Sequence, residues 1–514
     1  MVAGGFWDWI LRDGMTESED KEKQTRGEFV SGAVWMVAMR WAMRLIGLVS
    51  TVILARLLTP DDFGVVALAL IVNGFLEVVS WTGVDLALIR NRNATREHYD
   101  TAWTIQIIQG GIYAALLVAA APLAVAYFDE PRTAIVLHLL AVRAVIEGFQ
   151  NIGVVAFRRD LNFATEFRFG LYKKLLSFSA VVILAFTLRN YLALVLGMVA
   201  AALAGVIISY LMHDYRPRFC VKRMRDIWGF SQWMLISKLG RFCNEKTDQF
   251  IVGGITGTQS MGLYHMSAEL GTMPTAEVVM PLRRSLFPNF STMLDQPDVF
   301  GRTILKVLGI IAVVAFAAGF GLSGVAVDFV PLVLGDKWLA AIPLMEWLTL
   351  FGVAAGLSSS MELLLLVTNK GHLSALEAWG QLLVLAPALW YAAHHAGIVD
   401  VAMTRAGVAW LFVPVMMFLL TRAAPVGFFQ LIGVFWRPAF AALTMLTMLR
   451  TWHIDAGFVV LSLLANVLFG AAVFIATLLL LWRLAGRPEG AESMLVGMIG
   501  KLTARLRPRS SPAA

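Results

Sequence analysis

The charged residues inside one apolar stretch, Phe230 to Tyr264, are the strongest sign of chemistry in this sequence. A charge at bilayer depth is costly unless it faces other protein or a water-filled cavity. The stretch therefore contains either a functional site or a set of structural ion pairs that hold helices together. Four of its charges follow steps of three, four and three, which a helix places on one face. They are Lys238, Arg241, Glu245 and Asp248.

Isolated charges also occur in other apolar stretches. Arg40 and Arg44 lie one turn apart, and no acid lies one turn from either of them in the same segment. They therefore need an acid in another helix or an anionic ligand. Glu77 and Asp85 follow in the next stretch, about two turns apart.

One further pair of charges is most simply structural. Arg143 and Glu147 are four residues apart, a spacing that favours an ion pair within one helix. Asp248, by contrast, is expected to lie on the cavity side of its helix, within reach of a cation from the same face.

The charged stretch has a counterpart 198 positions earlier in the chain. The two segments align without a gap, and the aligned pairs include Trp35 with Trp233, Arg40 with Lys238, and Gly64 with Gly262. An even number of apolar runs between them predicts a parallel repeat, a feature of transporters whose substrate site lies near the membrane midplane. The two glycines are expected to begin the second helix of each pair after a tight turn.

Composition sets the class of protein that positions these charges. The chain has 514 residues, of which 58% are hydrophobic and 15% charged, and its mean hydropathy is +0.72. A soluble domain carries about 25% charged residues. The sequence therefore predicts an all-α polytopic membrane protein with about fourteen spans. The second, fourth and fifth spans are expected at Phe63–Leu88, Ala134–Ala156 and Leu175–Leu188.

The predicted organisation has five parts. Residues 1–28 form a cytosolic tail that either starts with a short interfacial helix or is frayed. Two six-helix bundles, two additional transmembrane helices and a basic cytosolic tail follow, at residues 29–213, 228–421, 431–483 and 484–514.

The basic residues predict the orientation. In the predicted loops and the C-terminal tail, 26 lysines and arginines lie on one side of the membrane and six on the other. Since cytosolic loops carry the excess of positive charge, both termini are expected in the cytosol. The net charge of +7 then reflects topology, and no nucleic-acid partner is expected.

Motifs of enzymes are missing from the sequence. It contains no Walker loop, no HExxH and no GxSxG. We therefore predict a transporter without catalytic residues, metal ligands or a bound cofactor, and coupling to a proton or a sodium ion stays open.

Three segments carry a resemblance to a known family. They are LARLLTPDDFGVVALALIV, TDQFIVGGITGTQSMGLYHMS and RRSLFPNFS. The first resembles the first-hairpin signature of the polysaccharide transporter family, in the multidrug/oligosaccharidyl-lipid/polysaccharide exporter superfamily. The others resemble its seventh helix and the segment after its eighth. The resemblance covers roughly Glu28 to Arg437 and is closest to the colanic-acid-exporter type of oligosaccharide flippase.

The resemblance implies two bundles facing a central cavity, which opens alternately to the two sides of the bacterial inner membrane. The implied substrate is an undecaprenyl-diphosphate-linked oligosaccharide, and the implied partners are a polysaccharide polymerase and chain-length proteins. The expected diphosphate ligands are Arg40, Arg44, Lys238 and Arg241. The acids expected to pair with them or to carry a coupling ion are Glu77, Asp85, Glu245 and Asp248.

Two alternatives remain. A cation-coupled multidrug exporter of the same superfamily would share the fold, although a site for cationic drugs favours acids and aromatics over arginines. An integral-membrane glycosyltransferase or polymerase would need a sizeable outer loop with catalytic acids, and the outer loops of this sequence are short.

Overall fold

A computed structural model describes residues 42–80, 83–90, 94–160, 162–224, 232–488 and 492–493. These residues form helices and connecting segments, with no strand among them. Their contacts divide the chain into two compact units, Met1–Phe242 (unit 1) and Cys243–Ala514 (unit 2). The predicted division into two six-helix bundles, two extra helices and two tails stays a prediction.

The helices of unit 1 follow one another with short connections. They are α1 (described over residues 42–57), α2 (Pro60–Ser80), α3 (Val84–Arg90), α4 (Arg96–Phe128), α5 (Arg132–Gly148), a 3₁₀ turn (Ile152–Val154), α6 (Val155–Arg159), α7 (Phe163–Leu188) and α8 (Leu192–Met212). Helix α9 (Gln232–Ile255) begins in unit 1 and ends in unit 2.

Besides a 3₁₀ turn at Asp336–Ala341, the described part of unit 2 contains eight further α-helices. They are α10 (Gly257–Thr292), α11 (Pro297–Gly324), α12 (Ala326–Val333), α13 (Ile342–Val367), α14 (Gly371–His395), α15 (Ile398–Thr421), α16 (Phe428–Thr451) and α17 (Val459–Leu484). The core of unit 2 joins α11, α13 and α15 to the last two helices, for example through Phe435 of α16 and Phe474 of α17.

The helices suit a membrane. Among the described residues, ten helices are long and apolar enough to cross one, or eleven if a helix pair bent by 71° counts as a single span. This makes the protein a multi-pass membrane protein. The predicted number of fourteen spans stays a prediction, because α1 is described only in part and α9 carries several charges.

The structure corrects the boundaries of three predicted spans. The second does not run on to Leu88, because α2 ends at Ser80 and α3 is a separate short helix. The fourth is interrupted after Gly148. The fifth begins at Phe163 rather than at Leu175. Apolar runs locate the start of a span where the basic residues end, but lysine and arginine are good helix formers and continue the helix.

The sequence TPDDFG starts α2 through a reciprocal cap. The Asp62 carboxylate accepts the backbone N–H of Thr59 at 3.0 Å, and the Thr59 hydroxyl oxygen accepts the backbone N–H of Asp62 at 3.3 Å. Pro60 occupies the first helical position, where no N–H is needed. Helix α2 therefore starts at Pro60, and the prediction that Gly64 starts it is wrong. In unit 2, α10 starts at Gly257, which has a φ of +80°, and not at Gly262.

An arginine joins two acids in unit 1. Arg132, at the start of α5, forms ion pairs of 2.7 Å with both Asp61 and Glu130. Its hydrogen bond to Glu130 holds the pKa of that carboxyl below the usual value, and the two acids raise the pKa of Arg132.

This cluster predicts a pH dependence of stability. Because the pKa of Glu130 is lower in the folded protein, its contribution to stability is complete above the usual carboxyl pKa and is lost as the pH falls through the lowered value. Arg132→Gln should therefore lower the melting temperature at pH 7. The loss in free energy of unfolding should be at most about 1 kcal/mol, because the ion pairs are partly exposed to solvent. The difference between wild type and variant should shrink as the pH falls below the usual carboxyl pKa, and an equal difference at pH 7 and pH 3 would contradict the assignment.

Helices α4 and α5 approach closely at two glycines. A Cβ atom on Gly110 would lie 2.9 Å from the carbonyl oxygen of Ala144 and 3.2 Å from Cα of Gly148. Such contact leaves no room for a side chain, as is common where small residues let membrane helices touch.

Gly110→Val should therefore destabilise unit 1, by about 1–3 kcal/mol, since overpacking forces the two backbones apart. The adjacent Gly111 offers a matched control, because a Cβ atom there would meet nothing within 4 Å. Melting of the two purified variants in detergent tests this. Equal melting temperatures for Gly110→Val and Gly111→Val would refute the close-packing argument.

An extended segment after α8, residues 213–223, lies across the start of α4, and we call it the strap. Its backbone N–H groups donate to side chains of α4: Arg218 to the Asp100 carboxylate at 2.9 Å, and Cys220 to the Thr104 hydroxyl at 3.0 Å. The rings of Phe219 and Trp103 are 5.1 Å apart. The strap thus fastens the chain to unit 1 before it enters α9.

Candidate functional site

A polar cavity of about 600 Å³ lies within unit 1. Residues of α2, α3, α4, α5, α6 and α7 line it, together with the segment between α5 and α6. The polar side chains on its wall include Asn73, Glu77, Gln106, Gln109, Tyr113, Arg143, Glu147, Gln150, Arg158 and Lys173. Its volume is in the range of small-molecule sites, about 300–1,000 Å³.

A break in a membrane helix forms part of the wall. After Gly148 the chain bends by 71° before the 3₁₀ turn and α6. The side-chain amide nitrogen of Gln106 lies 3.1 Å from the carbonyl oxygens of Glu147, Gly148 and Gln150, which have lost their helical partners. Interrupted backbone at membrane depth is tolerated where protein or a water-filled cavity satisfies it. Gln106 therefore stabilises the break and so the shape of the cavity.

Two pairs of side chains fix further polar groups on the wall of the cavity. The Tyr113 hydroxyl donates to the side-chain oxygen of Asn73 at 2.8 Å. Arg143 and Glu147 form the predicted pair within α5, at 3.0 Å, and both line the cavity beside Glu77. The wall thus offers amides, a hydroxyl and two carboxylates as hydrogen-bonding groups.

Unit 2 contains a buried ion pair. Asp248 of α9 and Arg405 of α15 are each 3% exposed, and a carboxylate oxygen lies 3.4 Å from Nε of the guanidinium. Tyr264 donates to the same carboxylate oxygen at 2.9 Å. Arg405 also donates to the backbone carbonyl of Asn244 at 3.2 Å and stacks over Phe351 at 4.3 Å. These contacts connect α9 with α10, α13 and α15.

The predicted site residues have different positions. Glu77 lines the cavity of unit 1, Arg44 is half-buried in α1, and Asp248 is buried in unit 2. Arg241 and Glu245 are exposed, although they were predicted on the same helix face as Asp248. They therefore do not share the buried surroundings of Asp248. Arg40, and the side chains of Lys238 and Asp85, lie outside the described residues.

Sequence reasoning missed the cavity and the partner of Asp248. Arg405 lies within α15, and no acid lies three or four residues away from it. The same pattern, a cation in an apolar segment with no acid one turn away, makes Arg40 a candidate. Lys173 was expected in a loop, because the predicted fifth span began after it. For Gln106 and Tyr113 no signal existed, since single amides and tyrosines are common in membrane helices.

Within the part of the chain that the structure describes, no group of three or more histidine, cysteine, aspartate or glutamate side chains could hold a metal ion.

The class of protein follows from the similarity of the fold to solved structures. The lipid II flippase MurJ, in an inward closed conformation, superposes with a TM-score of 0.70 at 14% identity, over 88% of this chain and 99% of MurJ. A multidrug resistance MATE family transporter of the MOP superfamily, in an inward-facing conformation, gives 0.50 at 15% identity, over 74% and 95%. The chain therefore has the helical fold of this class of membrane transporter.

The family follows from the sequence match. Residues 53–343 match the family described as polysaccharide biosynthesis protein, and the chain belongs to that family. It is a transporter of the multidrug/oligosaccharidyl-lipid/polysaccharide exporter superfamily and not an enzyme, as the three motif segments predicted.

Relatives in several bacteria have similar sequences. The succinoglycan biosynthesis transport protein ExoT of Rhizobium meliloti is 24% identical over 93% of this chain and 96% of its own. The teichuronic acid biosynthesis protein TuaB of Bacillus subtilis is 24% identical over 73% and 78%. The lipopolysaccharide biosynthesis protein WzxC of Escherichia coli is 21% identical over 74% and 78%.

Proposed function

We propose that this protein flips an undecaprenyl-diphosphate-linked oligosaccharide across the bacterial inner membrane by alternating access. The observation that carries the proposal is the polar cavity of about 600 Å³ built from membrane helices of unit 1. A lipid flippase must shelter a hydrophilic head group while the lipid chain stays in the bilayer. The names of the relatives, which refer to biosynthesis or transport of bacterial polysaccharides, support the same substrate class.

Positive charge in the spans suits the diphosphate. Arg40 and Arg44, with Lys238 and Arg241, would offset its charge by charge-assisted hydrogen bonds while it crosses the apolar core. Glu77, Asp85, Glu245 and Asp248 would pair with cations or carry a proton or sodium ion that couples transport. For Asp248, the contact with Arg405 supports the pairing role.

The orientation and partners belong to the same proposal. Both termini would lie in the cytosol, the head group would enter from the inner leaflet, and a polymerase with its chain-length proteins would receive the product outside.

A deletion strain tests the proposal directly. Mass spectrometry of its lipid extract should show an accumulated polyprenyl-diphosphate-linked oligosaccharide, and expression of the gene should clear it. A strain that accumulates no such lipid but becomes sensitive to cationic drugs would contradict the flippase proposal and indicate a multidrug exporter.

A further inference from the structure

Lys173 has unusual surroundings for a lysine in a membrane helix. It lies ten residues into α7, is half-buried, and lines the cavity of unit 1. Its side chain crosses α8 at Gly205, where an added Cβ atom would lie 3.2 Å from Cε and 3.3 Å from Nζ. The glycine thus leaves a groove for the lysine stem.

The other two cations on the cavity wall have acid partners. Arg143 pairs with Glu147 at 3.0 Å, and Arg158 pairs with Glu166 at 2.5 Å. Among the residues that the structure describes, no carboxylate lies within 4.0 Å of the Lys173 ammonium. A half-buried ammonium on a cavity wall without a carboxylate beside it favours an anionic ligand, so we expect an anion beside Lys173.

The remaining wall indicates what that anion is attached to. Gln109, Gln150 and the Tyr113–Asn73 pair present amides and a hydroxyl around the same space. Such groups exchange hydrogen bonds with sugar hydroxyls, whereas a phospholipid head group needs few of them. Lysine binds phosphate as a point charge and tolerates several orientations of the ligand.

We infer that the cavity of unit 1 is a binding site for a sugar phosphate head group, in which Lys173 contacts a phosphate oxygen and the amides contact the sugar. The inference rests on the proposed function, because the head group belongs to a lipid-linked saccharide. It adds a subsite to the diphosphate ligands proposed on α1 and α9.

Binding to three probes tests the subsite. The probes are a polyprenyl-diphosphate-linked N-acetylglucosamine, the same polyprenyl diphosphate without sugar, and phosphatidylglycerol, each titrated in detergent by native mass spectrometry. Lys173→Met keeps the stem and removes the charge. It should weaken binding of the sugar-bearing probe about tenfold or more, as expected for a hydrogen bond to a charged group. Lys173→Arg should retain most of the binding.

The neighbouring Lys174 is the matched control, because it is exposed and does not line the cavity. Lys174→Met should bind all three probes like wild type. If Lys173→Met weakens binding of phosphatidylglycerol as much as binding of the sugar-bearing probe, the cavity is a phospholipid site and the inference is wrong. Unchanged binding of the sugar-bearing probe by Lys173→Met would also overturn the inference.

Chemical protection gives a second readout that needs no variant. Acetylation of wild type with a water-soluble amine reagent should modify both lysines, and the sugar-bearing probe should protect Lys173 but not Lys174. Failure of the two hypotheses can be told apart. If wild type binds the probe without protecting Lys173, only the subsite is wrong. If wild type binds no lipid-linked saccharide, the proposed function fails and the subsite with it.

Discussion

Asp248→Asn should strongly destabilise unit 2, lowering the free energy of unfolding by about 3–5 kcal/mol, the cost of removing one partner of a buried ion pair. Asparagine keeps the shape and still accepts the hydrogen bond from Tyr264. What is lost is the negative charge, so the guanidinium of Arg405 stays buried without its carboxylate. The spacing of charges alone predicts a slower transporter that still folds, whereas the buried geometry predicts a less stable one.

Thermal unfolding of the purified protein in detergent measures this effect. The double variant Asp248→Asn, Arg405→Gln should recover most of the lost stability, because no buried charge is left unpaired. Glu245→Gln is the matched control: it removes a carboxylate from an exposed position one turn away on the same helix, and should cost less than about 1 kcal/mol. A double variant no more stable than Asp248→Asn would show that the ion pair is not the cause.

Export of surface polysaccharide should stop in the double variant Arg40→Ala, Lys238→Ala. The two positions are equivalent under the 198-residue repeat, which predicts a similar depth for both in the membrane. A long cation in mid-span cannot easily reach the interface, so each needs a negative partner there. If that partner is the diphosphate, the lipid-linked precursor should accumulate in the cytosolic leaflet while the amount of inserted, folded protein is unchanged.

Two further variants sharpen this second prediction. Arg40→Lys should retain part of the export, because the charge survives while the two-pronged hydrogen bonding is lost. Lys246→Ala should leave export normal, since this lysine of α9 donates within its own helix, to Gln249 at 3.1 Å. Normal surface polysaccharide in the double variant would contradict the diphosphate assignment, and loss of folded protein would indicate a structural role instead.

The sequence predicted the class of protein and most helices, because a run of apolar residues is sufficient to identify a span. It did not predict the break after Gly148, since the residues that stabilise the break are far away in the chain: Gln106 satisfies the freed carbonyl oxygens from α4. Helix starts were missed where basic residues continue a helix beyond its apolar part, as at α7.

The candidate site was predicted only in fragments. Charges within apolar runs identified Glu77 and Asp248 as candidates, and the four-residue spacing of Arg143 and Glu147 predicted their ion pair. Arg405 was missed because contact between α9 and α15 joins residues more than 150 positions apart, and no local pattern encodes such a contact. The cavity was missed for the same reason, since its wall is assembled from six helices.

The strap also bears on how the protein is made. Asp100, Thr101 and Thr104 are buried at the start of α4, and the strap that supplies their donors is translated more than a hundred residues later. Unit 1 therefore cannot complete its fold on the ribosome until residue 223 has emerged. A half-length fragment for co-expression or split-protein work should accordingly end after Met224. One that stops at Met212, where α8 ends, would leave those polar groups without their partners.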